Sequence, residues 1–432
     1  MTEQMNVPKL RFGEYKDHVA KPKKLGQLVD MRSGNTPSKS NPKFWEGTIP
    51  WISASSMKGN VFSESEQNVT QLALENGAKL ATKGSLLLLV RGSMLFNKIP
   101  IGFAGCDVTY NQDVKAINLK SGDDNSYLFH WFKASEYKLL SMVTGTGIGA
   151  GKLDSDELLS LPFHQPKPAE QQKIASFLSK VDEKIVLLTE KKAKLTEYKK
   201  GVMQQLFDGS FQEQDGKLVF VPPTLRFKAD DGSEFPDWEE VSLGSITTAM
   251  QSGISRQLHS EDIGYPILRS NNLSEGKVSF EDLKYWHLTD DQGADLTRYI
   301  LEEGDLLVNF INSLSQIGKV AIYYNSMGRD VIYTTNIMRL KFNSLITSEF
   351  AFYSFNTRRY VNFIQSIAKP AVSQASFTTV DFKKYKMHVP TRAEQNKMTS
   401  LLFAIDKKIE LINTELEKAK EWKKGLLQQM FV

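Results

Sequence analysis

The stretch AEQQKIASFLSKVDEKI, from Ala169 to Ile185, recurs as AEQNKMTSLLFAIDKKI from Ala393 to Ile409. The similarity continues without gaps to Phe207 and Phe431, at a constant offset of 393 − 169 = 224 residues. Similarity of this length between two parts of one chain indicates an internal repeat, so two copies of one segment decide the fold.

Each copy has the pattern of a long amphipathic helix, with apolar residues in alternating steps of three and four. We call these positions the seam: Ile174, Leu178, Val181, Ile185, Leu188, Leu195, Val202 and Leu206 in the first copy, and Met398, Leu402, Ile405, Ile409, Ile412, Leu416, Ala419, Leu426 and Met430 in the second. Lys192, Lys199 and Lys423 also fall on the seam, and we expect them to weaken it locally.

A helix with one narrow seam cannot bury that seam alone, and a helix of this length spans roughly 58 Å. The other copy is the obvious partner. A two-copy arrangement closes around a pseudo-two-fold axis only if the helices run antiparallel. We therefore expect an antiparallel pair within the chain. Packing of each helix on its own domain, or dimerisation with another chain, remain alternatives.

Weaker similarities precede the helices and extend the repeat to the whole chain. The matched pairs are Leu10-Arg11-Phe12 with Leu225-Arg226-Phe227, Leu25-Gly26 with Leu243-Gly244, Lys83–Leu87 with Glu303–Leu307, Ile101-Gly102 with Ile317-Gly318, and His164-x-Pro166 with His388-x-Pro390. The sequence predicts a globular domain over 1–168, a helix over 169–207, a linker over 208–236, a second globular domain over 237–392 and a helix over 393–432.

Both globular parts have the pattern of a mixed α/β (α+β) fold with short strands. Strands are predicted at Leu86–Val90, Val114–Leu119, Lys319–Tyr324 and Ile337–Phe342. Helices are predicted at Tyr127–Met142 and Ser348–Ile367, where aromatic residues recur every three or four positions. These aromatic residues are expected to form the cores.

The composition is that of a globular protein: of 432 residues, 41% are hydrophobic and 24% charged, and the formal net charge is +4. Mild basicity permits an anionic partner without requiring one. The single cysteine, Cys106, fits a reducing cytosol. The start of the chain, Met1–Pro8, lacks a signal-peptide pattern, and the longest apolar run, Leu86–Val90, is too short to span a bilayer. We therefore expect a cytoplasmic protein without membrane contact.

Several of these motifs resemble one known family. The helix starts Pro166-x-x-x-Glu170-Gln171 and Pro390-x-x-x-Glu394-Gln395, the helix ends Lys-Gly-x-x-Gln-Gln-x-Phe, the Lys9–Phe12 and Thr224–Phe227 stretches, and Asp237-Trp238 look like the specificity subunit of type I restriction–modification enzymes. The resemblance covers essentially the whole chain. The helix signatures are fairly specific to the family, whereas the globular domains contain few motifs that family members share.

The resemblance implies that each globular part is a target-recognition domain, reading one half of a split, asymmetric site on double-stranded DNA. The antiparallel helix pair would separate the two domains, set the number of unread base pairs, and dock two modification (methyltransferase) subunits. Two restriction subunits, ATP-dependent translocases and nucleases, would complete the complex. S-adenosylmethionine, ATP and Mg would be bound by those partners, with no cofactor on this chain.

Catalytic motifs in the chain itself are incomplete. Asn41-Pro42-Lys43-Phe44 lacks the second proline of an adenine-methyltransferase loop, and Phe103-Ala104-Gly105-Cys106 lacks the second glycine of a cofactor turn. The sequence has no G-x-x-x-x-G-K-S/T loop for ATP. The alternatives are a fused methyltransferase or nuclease, testable by S-adenosylmethionine binding, and a coiled-coil scaffold without DNA preference.

The candidate DNA contacts are polar residues on surface loops, because base edges are read mainly by Arg, Lys, Asn, Gln, Ser and Thr. In the first domain they are Arg32, Ser33, Thr36, Ser38, Lys39, Arg91, Ser93, Asn97 and the loop Thr144–Lys152, with Thr146 and Lys152. In the second they are Arg256, Gln257, Arg269, Asn271, Asn272, Asn309, Asn312, Gln316, Lys369, Ser373 and Gln374. We expect Arg269–Asn272 to be the strongest candidate and Arg269→Ala to weaken DNA binding without unfolding. No catalytic or metal-binding residue is predicted.

Overall fold

The computed structural model describes residues 8–16, 21–121, 125–147, 149–214, 217–274, 276–371 and 374–431. Tertiary contacts divide the chain into two compact units. The first unit contains Met1–Glu190 and Asn413–Val432, and the second contains Lys191–Ile412. Each unit therefore contains about half of each long helix. The division of the chain into five segments stays a prediction.

The two repeated helices are confirmed. The first repeated helix is Pro168–Phe207 and the second is Arg392–Met430. The pair is antiparallel. In the first unit the beginning of the first helix and the end of the second share one core, and in the second unit the roles are exchanged. Every predicted seam position is buried or half-buried, with Leu178 and Leu402 fully buried.

The seam lysines require a correction, because two of the three are matched by carboxylates across the helix pair. In the first unit Lys423 pairs with Asp182. In the second unit Lys199 pairs with Asp406 at 2.6 Å. The two ion pairs are related by the 224-residue offset of the repeat. A half-buried lysine with a facing carboxylate specifies register rather than weakening the helix pair.

The first unit contains a five-stranded sheet and a four-stranded sheet. The five-stranded sheet has the order Val29–Ser33, Val114–Leu119, Leu86–Leu89, Ile101–Ala104, Val61–Phe62. The four-stranded sheet has the order Asn68–Val69, Trp45–Ile52, Val108–Tyr110, Leu80–Ala81. Lys23–Lys24 pairs with Pro162–Phe163, and a small sheet joins Thr144–Gly145, Gly151–Lys152 and Arg91–Gly92.

The second unit has a related topology, with one strand fewer in each of its two larger sheets. Its main sheet has the order Thr247–Ser252, Ile337–Phe342, Leu306–Asn309, Val320–Ile322, and a three-stranded sheet has the order Lys284–His287, Gly264–Leu268, Ile332–Tyr333. Glu239–Ser242 pairs with Lys386–Val389, Leu273–Ser274 pairs with Lys277–Val278, and a small sheet joins Ile311–Asn312, Ala375–Ser376 and Lys369–Pro370. All four predicted strands are present, within two residues of their predicted ends.

One predicted match between the repeats is out of register. Leu88 pairs with Ile101, whereas the equivalent Val308 pairs with Val320. Ile101 therefore corresponds to Val320 and not to Ile317, which lies in the preceding turn. The loop that joins these two strands is one residue shorter in the second unit. Because Ile-Gly occurs at both Ile101-Gly102 and Ile317-Gly318, the sequence comparison matched the wrong positions.

Short helices cover the sheets. In the first unit the α-helices are Leu25–Leu28, Gln71–Glu75, Asn125–Ala134, Glu136–Ser141 and Ser155–Ser160, and the 3-10 turns are Gly13–Tyr15, Pro42–Phe44, Ala54–Ser56 and Ser93–Phe96. In the second unit the α-helices are Leu243–Ile246, Ser348–Ser354, Arg358–Ile367 and Thr379–Phe382, and the 3-10 turns are Ser270–Asn272 and Leu296–Tyr299. Each predicted aromatic helix is thus broken once. Its rings are mostly buried, as expected for core residues.

The glutamate at the start of each repeated helix holds the Leu-Arg-Phe stretch of the same unit. Arg11 donates two hydrogen bonds to the buried carboxylate of Glu170, at 2.9 and 2.7 Å. Arg226 contacts Glu394 in the same way, at 3.0 and 2.8 Å. The carboxylates lie in the first helical turn, where the helix dipole favours negative charge. The motif is therefore structural.

The predicted linker contains regular structure that its turn residues did not indicate. Ser210–Gln214 and Lys217–Val221 form an antiparallel hairpin. The ring of Phe220 stacks on the buried imidazole of His388, with ring centroids 3.4 Å apart. Burial and the neighbouring Arg359 lower the pKa of His388 to about 4, so its ring is neutral at pH 7. Within the described residues, no helix combines the length and apolarity required to cross a membrane.

Candidate nucleic-acid interface

The small sheet of the first unit begins where the buried strand Leu86–Leu89 ends. Val90 joins the two, because its N–H donates to Asp113 and its carbonyl accepts from Leu153, at 2.8 and 2.9 Å. Arg91 then lies directly opposite Lys152 in the sheet. A fully buried strand thus holds the exposed, polar sheet in a fixed position, which suits recognition of a rigid ligand.

This small sheet brings together two of the loops predicted from the sequence. The side chains of Arg91, Ser93, Asn97 and Lys152 are exposed. Lys152 lies 3.1 Å from Asp154. Because this ion pair is exposed and therefore weak, another anion can replace Asp154 as the partner of Lys152. The Thr146 hydroxyl donates to the carbonyl of Ala150 at 2.8 Å and so closes the hairpin.

The small sheet of the second unit is built in the same way but presents different chemistry. Asn312 lies opposite Ala375, and its side-chain oxygen accepts from the N–H of Ser313 at 2.8 Å. Lys369 and Gln374 are exposed on the hairpin, and Gln316 is half-buried in the preceding loop. Ser373 lies outside the described residues.

The remaining predicted loop of the first unit lies at an edge strand of the five-stranded sheet. Its members contact local partners: Arg32 with Asp30 at 2.7 Å, Ser33 with Lys115 at 3.1 Å, Thr36 with Gln112 at 2.8 Å and Ser38 with Ser40 at 2.7 Å. Lys39 is exposed. Arg32 is largely exposed, so its guanidinium remains available to a ligand.

Two predicted arginines of the second unit serve the protein itself. Arg256 forms a two-point ion pair with Asp290 at 2.7 and 2.8 Å. This hydrogen bonding holds the pKa of the Asp290 carboxyl well below its usual range. Arg269 donates to the backbone and side-chain oxygens of Asp282, at 2.6 and 2.9 Å. Asp282 has a left-handed backbone, with φ of 47°, so Arg269 stabilises a strained turn.

Two predicted asparagines are buried. The Asn272 amide donates to Ser279 and Glu281 at 3.1 and 3.0 Å, and its oxygen accepts from Arg269. Asn309 has no exposed surface. Neither side chain reaches the surface, whereas Gln257 and Asn271 do. The expected effect of Arg269→Ala on DNA binding therefore requires displacement of the turn that it holds.

Two exposed lysines, Lys98 and Lys319, were not among the candidates predicted from the sequence. Both are exposed, in the loops that follow Gly92 and Asn312. These loops join equivalent strands in the two units, so an alignment built on strand pairing would have matched the two loops that carry these lysines. Within the described ranges, no group of three or more His, Cys, Asp or Glu side chains is arranged to hold a metal ion.

The related topologies and the equivalent small sheets show that the chain contains two copies of one kind of domain. A family model described as "Type I restriction modification DNA specificity domain" matches residues 20–197 and again 236–421. The matched residues exceed half of the chain. The chain therefore belongs to this family.

Individual relatives agree with this assignment. The chain is 31% identical over 207 residues to the putative type I restriction enzyme MjaX specificity subunit of Methanocaldococcus jannaschii, covering 48% of each chain. It is 31% identical over 191 residues to the EcoR124I/EcoR124II specificity subunit of Escherichia coli, covering 42% of this chain and 47% of the relative. These matches span about half the length of those relatives. The match to the MjaVIII specificity subunit of M. jannaschii is 24% identical but covers 94% of this chain and 90% of the relative.

Solved structures show the same fold over the whole chain. The S subunit of a type I restriction–modification system from M. genitalium has a TM-score of 0.58 at 17% identity, with 99% of both chains covered. A chain from a structure on complex assembly and conformational transition of the type I R-M system has a TM-score of 0.54 at 13% identity, covering 96% of this chain and 97% of that chain.

Proposed function

We propose that this chain is the DNA-specificity subunit of a type I restriction–modification complex, and that each unit reads one half of a bipartite, asymmetric site. The observation that carries this proposal is that the equivalent small sheets of the two units have different side chains at equivalent positions. Arg91 and Lys152 of the first small sheet correspond to Ile311 and Ser376 in the second, as their pairings show. Different donors and acceptors on equal frames suit two different half-sites.

The chain itself has no catalytic role in this proposal. Methyl transfer with S-adenosylmethionine, and ATP- and Mg-dependent translocation and cleavage, belong to the partner subunits. The polar motifs that recur in the two halves of the chain support this, because Arg11, Glu170, Arg226 and Glu394 form structural ion pairs. A cytoplasmic location follows from the DNA substrate.

The helix pair is proposed to set the number of unread base pairs between the half-sites. In each unit the seam is buried, and one ion pair matches the two helices there, Lys423 with Asp182 in the first unit and Lys199 with Asp406 in the second. Adding one helical turn to both helices adds about 5.4 Å, somewhat more than one base-pair step of B-DNA.

The repeated helices also offer two equivalent apolar sites for a partner. Leu187 and Leu411, at the same position of the repeat, are 57% and 58% exposed. Tyr198 and Trp422, also equivalent, are 56% and 51% exposed. Each unit therefore presents one leucine and one aromatic ring. Two like sites support docking of two modification subunits, which in turn would carry two restriction subunits.

Sequencing of methylated adenines in the host genome, with and without this gene, tests the specificity role. One bipartite motif should disappear on deletion, and restoring the gene should restore it. An unchanged set of methylated motifs would exclude the proposal, provided the partner methyltransferase is shown to be expressed.

Native mass spectrometry of the chain with its modification partner tests the docking sites. Leu187→Glu combined with Trp422→Ala, both in the first unit, should reduce the bound copies from two to one. Lys184→Ala, a change at an exposed position of the same helix, serves as the control and should retain two. Two bound copies in the double variant would place docking elsewhere.

A further inference from the structure

One loop in each unit leaves a large apolar side chain in solvent. Phe96 is 52% exposed and Leu314 is 61% exposed. Phe96 lies in the loop 93–100 and Leu314 in the loop 313–319. The strands on either side of these loops are equivalent, since Leu88 pairs with Ile101 and Val308 with Val320.

The loops are not loosely packed. Leu95 and Ile99, which flank Phe96, are fully buried, and Ile317 is 7% exposed. A single exposed apolar residue is ordinary on a protein surface. Its recurrence in two loops of different sequence and length, both adjoining a small sheet, indicates a shared use.

The surroundings identify the kind of partner. Arg91 and Lys98 lie in the same segment as Phe96, and both are exposed. Lys319 and Lys369 are the exposed cations of the loop and the small sheet in the second unit. Exposed cations in the same segments as an exposed apolar side chain fit a polyanion that carries an apolar group, which is the chemistry of DNA in its major groove.

We propose that Phe96 and Leu314 each contact the C5-methyl group of a thymine in the half-site of their own unit. The thymine methyl is the apolar feature of the major-groove edge, and the polar neighbours Ser93, Asn97 and Gln316 are placed to bond adjacent base edges. This inference rests on the proposed function, because it assumes that both units read DNA. It predicts at least one methyl-dependent thymine in each half-site.

Binding to deoxyuridine-substituted duplexes tests the contact. Each thymine of the site is replaced in turn by deoxyuridine, which lacks only the methyl, and affinity is measured for the chain in complex with its modification partner. For the intact protein, replacing one particular thymine in each half-site should lower the binding affinity about fourfold, as expected from losing the burial of one methyl group. Phe96→Ala should abolish that loss in one half-site and leave the other unchanged. Leu314→Ala should do the reverse.

Two variants serve as matched controls, because each removes an exposed apolar side chain at another place in the same unit. Val61 is 58% exposed in the first unit and Leu288 is 65% exposed in the second. Val61→Ala and Leu288→Ala should both retain the thymine dependence of the intact protein.

The inference is overturned if specific binding persists but no thymine methyl affects it, or if both alanine variants keep the loss. A fluorescence test with 2-aminopurine placed in the duplex beside the site could also overturn the inference. If its fluorescence increases with the intact protein but not with Phe96→Ala, the Phe96 ring is inserted between bases and does not contact a thymine methyl. Absence of any sequence-specific binding by the intact complex would instead refute the proposed function.

Discussion

The backbone N–H of Leu10 donates a hydrogen bond to the carbonyl oxygen of Gln429 at 2.9 Å. Leu225 donates to Gln205 in the second unit at 3.2 Å. Gln205 and Gln429 are equivalent in the repeat, and so are the Leu-Arg-Phe stretches that contain the donors. Leu10 and Gln429 thus meet in the same way as Leu225 and Gln205, which in the second unit are joined by a continuous segment of chain.

A circular permutant should therefore fold. Residues 208–224 provide 224 − 208 + 1 = 17 residues between Phe207 and Leu225, whereas Val432 and residues 1–9 provide 1 + 9 = 10 between Phe431 and Leu10. We expect a permutant with seven added Gly/Ser residues at the joined ends, opened after Asp208, to retain the melting temperature within a few degrees.

Differential scanning calorimetry measures the melting temperature of the permutant. Sequencing of methylated adenines shows whether the permutant still directs methylation to the same motif. A permutant opened after Leu87, inside a buried strand, is the control and should fail to fold. If both permutants behave alike, the contact between Leu10 and Gln429 does not close the fold.

Arg11→Ala should destabilise the protein by about 3–5 kcal/mol, because it leaves the Glu170 carboxylate buried without its partner. The side chains of Arg11 and Glu170 are only 9% and 3% exposed. Replacing both by Met should recover most of the loss. Urea unfolding measures these changes, with Lys420→Ala, which breaks an exposed pair with Glu417, as a control expected to cost under about 1 kcal/mol. Equal effects of Arg11→Ala and Lys420→Ala would contradict the structural role of the motif.

Asp182→Asn should cost about 1–3 kcal/mol, because Lys423 then lies half-buried without a counter-charge. Asp406→Asn should cost more, because the Asp406 carboxylate also accepts from the Tyr353 hydroxyl at 2.9 Å. Double-mutant cycles with Lys423→Met and Lys199→Met measure the two couplings. Couplings near zero in both cycles would show that the ion pairs do not specify helix register.

Stability should decrease between pH 7 and pH 5 through His130. Burial, together with Lys423 and Lys133, lowers the pKa of His130 to about 3 from 6.5. Between these values the unfolded chain binds more protons, so stability rises with pH and is lost progressively below pH 6.5. His130→Phe should reduce the loss at pH 5 by on the order of 2 kcal/mol.

Chemical denaturation at both pH values is the measurement. His388, with its pKa lowered to about 4, contributes in the same direction and remains in the variant as an internal reference. An identical pH dependence of the variant and the parent would mean that His130 is not buried as a neutral ring.

The helices and their buried faces were predictable because helical periodicity is local and is repeated twice. Leu178 and Leu402 occupy the seam in any register that satisfies the three-and-four spacing. The main strands were also predictable from local sequence, since a short apolar run such as Leu86–Leu89 is typical of a buried strand.

The candidate interface was harder to predict, because a polar loop residue looks the same whether it faces solvent or another residue. Arg256 pairs with Asp290, 34 positions away in sequence. The amide of Asn272 bonds backbone carbonyls 7 and 9 positions away. Such pairings are set by tertiary packing, which one sequence does not display. The loop Thr144–Lys152 was easier to predict as a turn, because its glycines mark it in the sequence.

The equivalence of the two ion pairs in the helix seam has an evolutionary consequence. Homologous recombination between the coding regions of the two helices would remove 224 residues in frame and leave a chain of 432 − 224 = 208 residues. If the crossover follows Lys199, the shorter chain still carries both Asp182 and Lys199. Two copies could face each other with each Asp182 opposite the other's Lys199, and the resulting homodimer would select a palindromic target.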